Sequence, residues 1–438
     1  MIIVGAGLSG LSCAFELSER GRSVVVLESR AVVGGRTSSW IEDGMPVESG
    51  LHRFLGFYSA LPDLLHRAGI SLNEMLVWED EFEVRLPEPE PSGVFSVSPL
   101  HHPLSTVRRL LSNNDFLSAA EKLSLAKFMA AGLKDYGANP RELDQQSVLE
   151  YARKHEVSET IIHRMLVPLT AGVFFIPPER YSAFNLMGLL APYIPTLLKM
   201  RLGAFSGGMT EVMAGPLAQA IIQRGGEVRT NAGVERLIVE GGRVAGVQLG
   251  TGELRAPHVV LATSILPAQR LVRDCFAGEP WCQPMLQLPS MPAVTLQMEL
   301  DEPSMDIDRT TFAPGTVLAS FSEQSRTTFK HAAGRLSVIL TPPEEFLDMP
   351  AEQVLARVCA DADRLGMRVT GHVRAYRVTR HPADFHSLAP GYEHLRPTQA
   401  TRVPGLALAG DYTRQKYLAT MEGAVVSGRE AAEIVVNA

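Results

Sequence analysis

The chain has 438 residues, 45% of them hydrophobic and 20% charged, which is typical of a folded protein large enough for two domains. Its net charge is −7 and it has no long basic run, so we expect no nucleic-acid partner. Four cysteines without a CxxC pair predict neither a disulfide framework nor a metal site. No apolar run is long enough to predict a membrane-spanning helix, and Ile2 already opens a predicted strand, so no signal peptide is expected.

The first thirty residues carry a dinucleotide-binding pattern. A short apolar strand leads into Gly5, Gly7 and Gly10, and apolar residues at helical spacing follow. Glu28 stands at the end of the next predicted strand. In this pattern Gly5 permits a tight turn, Gly7 lets the backbone approach a pyrophosphate, and Gly10 lets helix and strand pack closely. Glu28 can accept hydrogen bonds from ribose hydroxyls, so the segment predicts a nucleotide site.

A second glycine doublet favours FAD over NAD as the nucleotide. Gly34 and Gly35 follow the acidic residue and give the backbone another close approach, and Arg36 can neutralise phosphate. With these residues the segment resembles the amine oxidase and carotenoid desaturase superfamily of flavoproteins.

Three further segments resemble one branch of that superfamily, the plant and cyanobacterial type phytoene desaturases. They are residues 48–56, 174–179 and, most specifically, 410–428 near the end of the chain. Hydroxysqualene dehydroxylases form a related subfamily that is also close. Residues 190–200, which should line a substrate tunnel, do not match the family well. The chain also lacks the long N-terminal extension of plastid members, so we expect a bacterial protein.

The order of predicted elements indicates a discontinuous nucleotide domain. The resemblance implies an α/β fold, with a Rossmann-like FAD-binding domain of the glutathione reductase type and an inserted α+β substrate domain. We assign residues 1–75, 205–263 and 405–438 to the FAD-binding domain. Residues 76–204, mostly helical, and 264–404, mostly strands, form the predicted substrate domain.

The resemblance also implies the site residues. FAD contacts are expected at Gly5, Gly7, Ser9, Gly10, Glu28, Ser29, Gly35, Arg36, Thr37, Gly50, Leu51, His52, Val234, Ala262, Gly410, Asp411 and Met421. Phe54, Phe175 and Tyr417 are expected to line the substrate site. No catalytic side chain and no metal are assigned, because the flavin is the reactive group in this family.

The implied reaction is desaturation of an apolar isoprenoid such as phytoene or a carotene, by hydride transfer to flavin N5. A quinone is the expected electron acceptor, and a cytoplasmic protein bound peripherally to the inner face of the cell membrane is the expected setting. Three alternatives stay open at this point. They are a hydroxysqualene dehydroxylase, a flavin amine oxidase, and a non-catalytic prenyl-binding protein of the GDP-dissociation-inhibitor type.

Residues 186–199 are apolar and end in a cation, Lys199. They predict either a buried helix pair of the substrate domain or an interfacial segment that dips into a bilayer, with the cation at the headgroups.

Overall fold

The computed structural model describes residues 1–437, without the side chains of Leu110 and Leu111. Residue 438, the last of the predicted segment 405–438, lies outside the described residues. The strands are β1 (Ile2–Val4), β2 (Val25–Leu27), β3 (Ser39–Glu42), β4 (Met45–Glu48), β5 (Phe54–Leu55), β6 (Leu76–Glu79), β7 (Glu81–Val84), β8 (Gly93–Ser96), β9 (Leu202–Phe205), β10 (Glu227–Arg229), β11 (Val234–Glu240), β12 (Arg243–Leu249), β13 (Gly252–Arg255), β14 (Val259–Leu261), β15 (Ser290–Leu300), β16 (Thr311–Phe312), β17 (Leu318–Glu323), β18 (Gly334–Leu340), β19 (Val373–His386) and β20 (Leu406–Leu408).

The helices are α1 (Leu8–Glu19), α2 (Ala60–Arg67), α3 (Leu72–Met75), α4 (Pro103–Ser112), α5 (Ala119–Ala138), α6 (Pro140–Asp144), α7 (Val148–Lys154), α8 (Glu159–Ile161), α9 (Val167–Phe174), α10 (Ala183–Gly188), α11 (Gly215–Gln223), α12 (Ile265–Phe276), α13 (Gln283–Gln287), α14 (Ala351–Arg364) and α15 (Met421–Val436). Capping boxes at Ser118 and Ser147 begin α5 and α7, because each serine side chain accepts from the backbone of the glutamate three residues on.

A five-stranded parallel sheet in the order β10-β2-β1-β14-β20 organises the nucleotide-binding region. Its central strand β1 pairs Ile2 with both Val25 and Val259. The three central strands are short and almost wholly apolar, as expected where helices and other layers cover both faces. The five strands lie within residues 1–75, 205–263 and 405–438. The domain boundaries themselves stay predictions.

The two ends of the chain meet behind this sheet, where α1 packs against α15. The Ser12 hydroxyl donates to the carbonyl of Val425 at 2.9 Å. A Cβ at Gly428 would lie only 2.2 Å from the Ser9 carbonyl oxygen, so the helices approach as closely as a glycine allows. The buried carboxylate of Glu422 accepts hydrogen bonds from the backbone of Ser59 and the next two residues, and so anchors α15 to the first turn of α2.

A seven-stranded sheet in the order β19-β15-β18-β17-β16-β7-β8 forms the second layer. Its pairs are antiparallel except for β16 with β7. Helix α14 buries Val354 and Val358 against one part of this sheet, and a helical cluster covers another part. The three-stranded sheet β5-β9-β6 lies at the border with the nucleotide-binding region.

Residues 186–199 do not form the predicted helix pair: residues 186–188 are the buried end of α10, and the rest is not α-helical. After α10 the chain continues as a 3₁₀ run, Ala191–Lys199, with Pro192 and Pro195 inside it. The prolines lack the N–H that an α-helix needs, which explains the tighter and shorter turns. Only Tyr193 of this run is buried.

Candidate active site

One large cavity of about 1190 Å³ runs between the parallel sheet and the seven-stranded sheet. Single-ligand pockets are typically about 300–1,000 Å³, so this cavity has room for a cofactor and a second ligand. Its lining comes from the glycine-rich turns after β1 and β2, the loop after β4, the end of β19 and the start of α15, together with apolar residues of the substrate region. The cavity therefore lies where both ends of the chain meet.

The nucleotide end of the cavity is built from the first βαβ unit. Gly5 has φ +106°, and a Cβ there would lie 2.7 Å from the Ala262 carbonyl oxygen, so the turn after β1 requires glycine. Helix α1 begins just beyond Gly7 and points its free N–H groups at the cavity edge. Glu28 accepts from the Ala6 backbone N–H through Oε2 and from the Arg30 N–H through Oε1, both at 2.9 Å. These bonds fix the carboxylate at the cavity wall.

A buried ion pair joins the beginning and the end of the chain inside the cavity. The Arg36 guanidinium donates to Oδ1 of Asp411, and both residues line the cavity. Burial alone would raise the pKa of Asp411. The charges of Arg36 and His386 and the hydrogen bond from Arg36 outweigh burial and hold that pKa below its ordinary value. Asp411 is therefore a carboxylate at neutral pH.

The loop after β4 places His52 in the cavity with a defined tautomer. Its Nδ1 lies 3.0 Å from the Gly50 carbonyl oxygen. Because a carbonyl only accepts, Nδ1 carries a hydrogen and Nε2 of the neutral ring is an acceptor. Burial lowers the pKa of His52, and the Gly50 hydrogen bond and the charge of Asp384 partly offset that shift, while Arg36 and His381 add to it. The ring is therefore neutral near pH 7.

The end of β19 supplies the opposite wall at this point. His381 lines the cavity, and its Nε2 lies 3.0 Å from the carbonyl oxygen and 3.1 Å from the hydroxyl of Ser49. Asp384, three residues further on, also lines the cavity and acts electrostatically on both His52 and Arg36. This strand thus brings a histidine and a carboxylate close to the loop after β4.

The rest of the cavity wall is mostly apolar. The apolar residues that line it are Leu55, Val173, Phe174, Phe175, Leu189, Leu202, Ala293, Phe312 and Ile339. The backbone of Phe175, at the end of α9, lies in the left-handed region with φ +67°. This conformation turns the chain sharply at the cavity wall. The carboxylates that line the cavity in the described chain, Glu28, Asp384 and Asp411, act on Ala6, His52 and Arg36 and are not among these apolar residues.

One polar group interrupts the apolar wall. Arg53 lines the cavity with its guanidinium almost wholly buried, paired with Glu79 at 3.0 Å. Its Nε donates to the Thr310 hydroxyl at 2.9 Å, and Thr310 in turn donates to Glu79. Burial raises the pKa of Glu79, against the opposing effect of Arg53. Arg53 also donates to the His52 carbonyl at 3.3 Å and to the Ser322 hydroxyl, so one of its five N–H groups is left without a protein acceptor in the described chain.

Most of the residues expected at the site line this cavity. They are Gly5, Gly7, Ser9, Glu28, Ser29, Gly35, Arg36, Thr37, Gly50, Leu51, His52, Phe175, Val234, Ala262, Gly410, Asp411 and Met421. Their contacts with FAD stay predictions.

Three expected site residues lie elsewhere. A Cβ at Gly10 would lie 2.0 Å from the Gly5 carbonyl oxygen, so Gly10 serves the packing of helix on strand and does not line the cavity. Phe54 is buried behind the wall, with its ring edge-on to Tyr58 at 5.4 Å, because side chains alternate along β5. Its neighbours Arg53 and Leu55 face the cavity instead. Tyr417 packs on Tyr193 at 5.1 Å and is likewise outside the lining.

Some cavity residues were not expected from the sequence. Strand alternation around Phe54 could have identified Arg53 and Leu55. His381 and Asp384 have no local signal, because they reach the cavity only through the pairing of β19 with β15.

The glycines allow a direct test of what occupies the nucleotide end. A Cβ at Gly7 would come no closer than 4.0 Å to any protein atom outside its immediate neighbours, and φ is ordinary there. We therefore expect Gly7→Ala to leave the urea unfolding midpoint of the flavin-free protein unchanged. Flavin affinity should fall about tenfold or more, because the methyl group takes the space of the diphosphate.

Gly10→Ala is the matched control, because its clash is with the protein itself. We expect it to lower the free energy of unfolding by about 1–3 kcal/mol or more, with or without flavin. Denaturation curves and the absorbance of bound flavin measure both effects. Equal flavin affinity in Gly7→Ala and the unmodified protein would contradict the assigned diphosphate position.

The residues present fit FAD. The lining provides a βαβ turn open at Gly7, a carboxylate fixed at Glu28, a cation at Arg36 and the N-terminus of α15 at Met421. This space continues into the apolar part of the same cavity, where a second ligand can reach the cofactor.

Comparison with known proteins agrees with this site. Residues 8–436 match the model of the family described as flavin containing amine oxidoreductase. The chain is 28% identical to a 15-cis-phytoene desaturase of Synechococcus elongatus, over 99% of this chain and 95% of that protein. It is 27% identical to the chloroplastic and chromoplastic 15-cis-phytoene desaturase of Glycine max, covering 100% of this chain and 79% of that protein.

Solved structures show the same fold. An oxidoreductase from Methanosarcina mazei superposes with a TM-score of 0.77 at 17% identity, covering 100% of this chain and 99% of that one. A putrescine oxidase with bound putrescine gives a TM-score of 0.74 at 18% identity, covering 100% of this chain and 98% of that one. The predicted superfamily, α/β fold and FAD cofactor are confirmed. The chain belongs to the flavin containing amine oxidoreductase family and is an FAD-dependent oxidoreductase.

Proposed function

We propose that this enzyme desaturates an apolar isoprenoid of the phytoene or carotene kind. The observation that carries the proposal is the continuous cavity, which extends from the nucleotide end into a long apolar space. A hydrocarbon chain binds by removing its surface from water, and such a wall provides the apolar area for that. The identity to proteins named phytoene desaturases supports the same substrate class.

An amine substrate fits this wall less well. A protonated amine needs a carboxylate or an aromatic cage near its binding position. The carboxylates that line the described cavity already act on protein groups, and the charged group in the apolar part is a cation, Arg53. The chain is only 18% identical to the putrescine oxidase, so that similarity supports the shared fold and not an amine substrate.

The proposed reaction removes a hydride and a proton from neighbouring carbons and forms a double bond between them. When bound, FAD supplies the hydride acceptor. The cavity residues bind and orient the hydrocarbon, and the apolar wall excludes water from it. His52 is the side chain best placed to take the proton, at Nε2.

The contacts of the other cavity bases favour His52. Nε2 of His381 lies 3.0 Å from the Ser49 carbonyl oxygen and therefore carries a hydrogen, so it accepts no proton. Asp384 is assigned a positioning role, because its charge acts on the His52 ring.

Asp411 is held as a carboxylate by Arg36, and Glu28 is bonded to backbone N–H groups at the nucleotide end. Nε2 of His52 has no protein hydrogen bond within residues 1–437, and the charge of Asp384 stabilises the protonated ring. His52 is therefore proposed as the general base, with Asp384 as a positioning residue.

A second candidate is dehydroxylation of a hydroxylated isoprenoid. Arg53 favours it, because the one N–H that its protein partners leave open can donate to a hydroxyl oxygen in a mostly apolar wall. Dehydroxylation replaces a C–OH bond with C–H and releases water, so it consumes two electrons and would need reduced flavin and an electron donor. For desaturation, a quinone is the proposed electron acceptor, since its apolar ring can enter the same cavity once the product has left.

The substrate is tested on the flavin-loaded protein without oxygen. Liposomes carrying phytoene should bleach the flavin absorbance and yield a more conjugated product, and a quinone should restore the colour. Hydroxysqualene tested alone should give no bleaching, and neither should an aliphatic amine. Bleaching by the amine, with none by either isoprenoid, would contradict the proposal. Return of the flavin colour when hydroxysqualene is added to chemically reduced enzyme, with no bleaching of the oxidised enzyme by phytoene, would select the second candidate.

Replacing His52 tests the proton acceptor. We expect His52→Gln to slow bleaching by about a hundredfold or more, because general base catalysis contributes at least that much. In the unmodified enzyme, the rate should fall as pH drops through the His52 pKa, which lies below 6.5, since only the neutral ring accepts a proton.

The variant Asp384→Asn tests whether the acid limb of the rate profile belongs to His52. Asp384 raises the His52 pKa, so its loss should move the acid limb of the rate profile to lower pH, and NMR titration of the His52 ring should show the same shift. His101→Gln, at an exposed loop histidine, is the control. An unchanged rate and profile in His52→Gln would rule out this role.

We also propose that the enzyme docks on a membrane surface through an apolar patch. The patch consists of Leu100, Leu104, Val107, Ile194, Leu197 and Leu198, all exposed, with 86% for Leu104 and 68% for Leu198. Asp80 joins its two halves, because it pairs with His102 at the start of α4 and with Arg201 after the 3₁₀ run, at 3.1 and 3.2 Å.

Charge and position both support a lipid surface. The exposed cations Arg108 and Lys199 flank the apolar residues, as in interfacial segments that rest among headgroups. Tyr193, in the same run as Ile194, packs on Phe57 at 4.2 Å and on Tyr58, which lines the cavity. The patch thus adjoins the cavity wall that would receive a lipid-dissolved substrate. Within the described residues, no helix has the length and apolarity to cross a bilayer.

Acidic substitutions test the patch. We expect Leu104→Glu with Leu198→Glu to weaken binding to liposomes at least tenfold, because each buried leucine contributes about 1.5–3 kcal/mol. Ile41→Glu, equally exposed on the β3–β4 hairpin, is the control and should bind as before. Liposome flotation measures the effect. Equal liposome binding by the unmodified protein, the double leucine variant and Ile41→Glu would contradict docking through this patch.

A further inference from the structure

A second, smaller cavity of about 310 Å³ lies outside the active site, and we call it the arginine pocket. Its charged lining residues are Arg85, Arg309, Arg368, Glu83 and Asp306. None of these residues lines the large cavity, so the pocket has no role in the proposed redox reaction.

Arg309 is buried and has unused donors. Its side chain is 13% exposed, yet its recorded partner within the described residues is Glu81, at 3.5 Å. Arg396 shows how this chain satisfies a buried arginine, with acceptors at Glu393 and at the carbonyls of residues 411–413. Arg309 has five N–H donors, and those without a protein acceptor are open to the solvent of the pocket, since none of its nitrogens is among the fully buried unpaired atoms of the described chain. Its donors are therefore open to a ligand in the pocket.

The two flanking arginines add positive charge around the same space. Arg85 is held by Glu83 at 2.8 Å, and Arg368 contacts Asp306 at 2.8 Å. Asp306 is 85% exposed, so its bond to Arg368 contributes little and can yield to a ligand. Three guanidiniums and two carboxylates line the pocket, and two further carboxylates, Glu81 and Glu302, pair with Arg309 and Arg368 from beside it at 3.5 and 3.6 Å.

We propose that the arginine pocket binds a phosphate-type anion. A guanidinium presents paired donors that match the oxygens of phosphate, and these charge-assisted bonds are stronger than neutral ones. The anion would occupy the unused donors of Arg309, with Arg368 turning from Asp306 toward it. Its source is either the headgroup of a phospholipid or a free phosphate or diphosphate.

The position of the pocket is compatible with a headgroup. Glu81, the partner of Arg309, also accepts from Arg109 at 2.8 Å. Arg109 lies on α4, whose exposed Leu104 and Val107 belong to the apolar patch. The headgroup source therefore rests on the membrane docking proposed above, whereas binding of free phosphate does not.

The test measures binding to the flavin-loaded protein and needs no turnover. Calorimetry with inorganic phosphate and pyrophosphate measures the free anion. Flotation with phosphatidylcholine vesicles, with and without phosphatidylglycerol, measures the headgroup. Because the chain has a net charge of −7, unspecific attraction of the whole protein to anionic vesicles is not expected. The cations Arg108 and Lys199 at the apolar patch can also favour anionic lipid, so only the part of the preference that depends on Arg309 reports the pocket.

We expect Arg309→Gln to lose the anion-dependent binding about tenfold or more, and Arg309→Lys to lose part of it, because lysine keeps the charge without the paired donors. Arg255→Gln is the control, since Arg255 is an exposed arginine with two carboxylate partners on the β12–β13 hairpin. Circular dichroism checks that each variant is folded.

The outcomes separate the sources. Saturable binding of phosphate or pyrophosphate that depends on Arg309 supports a free anion. A phosphatidylglycerol preference that depends on Arg309, without binding of the free anions, supports a headgroup. Binding of neither, or equal loss in Arg309→Gln and Arg255→Gln, would overturn the proposal. A protein that fails to oxidise isoprenoids can still bind the anion, so this result is independent of the reaction proposed above.

Discussion

The closure of the chain on itself at the cofactor cavity is the constraint on which the rest of the structure depends. Arg36, near the beginning, and Asp411, near the end, form an ion pair inside this cavity. Helices α1 and α15 hold these segments together through the Ser12 bond to Val425 and the close contact at Gly428. Asp411 is buried, so removing Arg36 would leave its carboxylate without compensation, which is unfavourable. The ion pair therefore stabilises the cavity between the two ends of the chain.

The apolar half of the molecule is organised around the same cavity. Tyr58 lines it, and Tyr193 and Phe57 pack behind Tyr58 and reach the exposed 3₁₀ run. One continuous aromatic layer thus separates the apolar patch from the active site. A lipid-dissolved substrate would have a short path from the bilayer to the flavin under the proposed function.

The local parts of this architecture could be predicted from the sequence, because they depend on short-range rules. The glycine turn after β1, the position of Glu28 and the two capping boxes each follow from residues within a few positions of one another. The face of a two-residue strand is harder to assign. The sequence suggested Phe54 for the substrate wall, and alternation along β5 turns it into the core and Arg53 toward the cavity.

Long-range placement explains the remaining differences. His381 and Asp384 reach the active site because β19 pairs with β15 over most of its length, and no local pattern marks this. The two prolines of residues 190–200 convert a predicted helix into a 3₁₀ run, which exposes Ile194 and Leu198. The arginine pocket likewise combines β7, the loop before β16 and the turn after α14, which are far apart in sequence.

Hydrogen exchange measured before and after flavin is removed and restored tests the central claim most directly. The account predicts that the backbone amides of residues 5–10 and of residues 410–424 lose protection together when flavin is removed, and regain it together when flavin returns. Protection that changes at one of these segments alone would contradict a cofactor held by both ends of the chain.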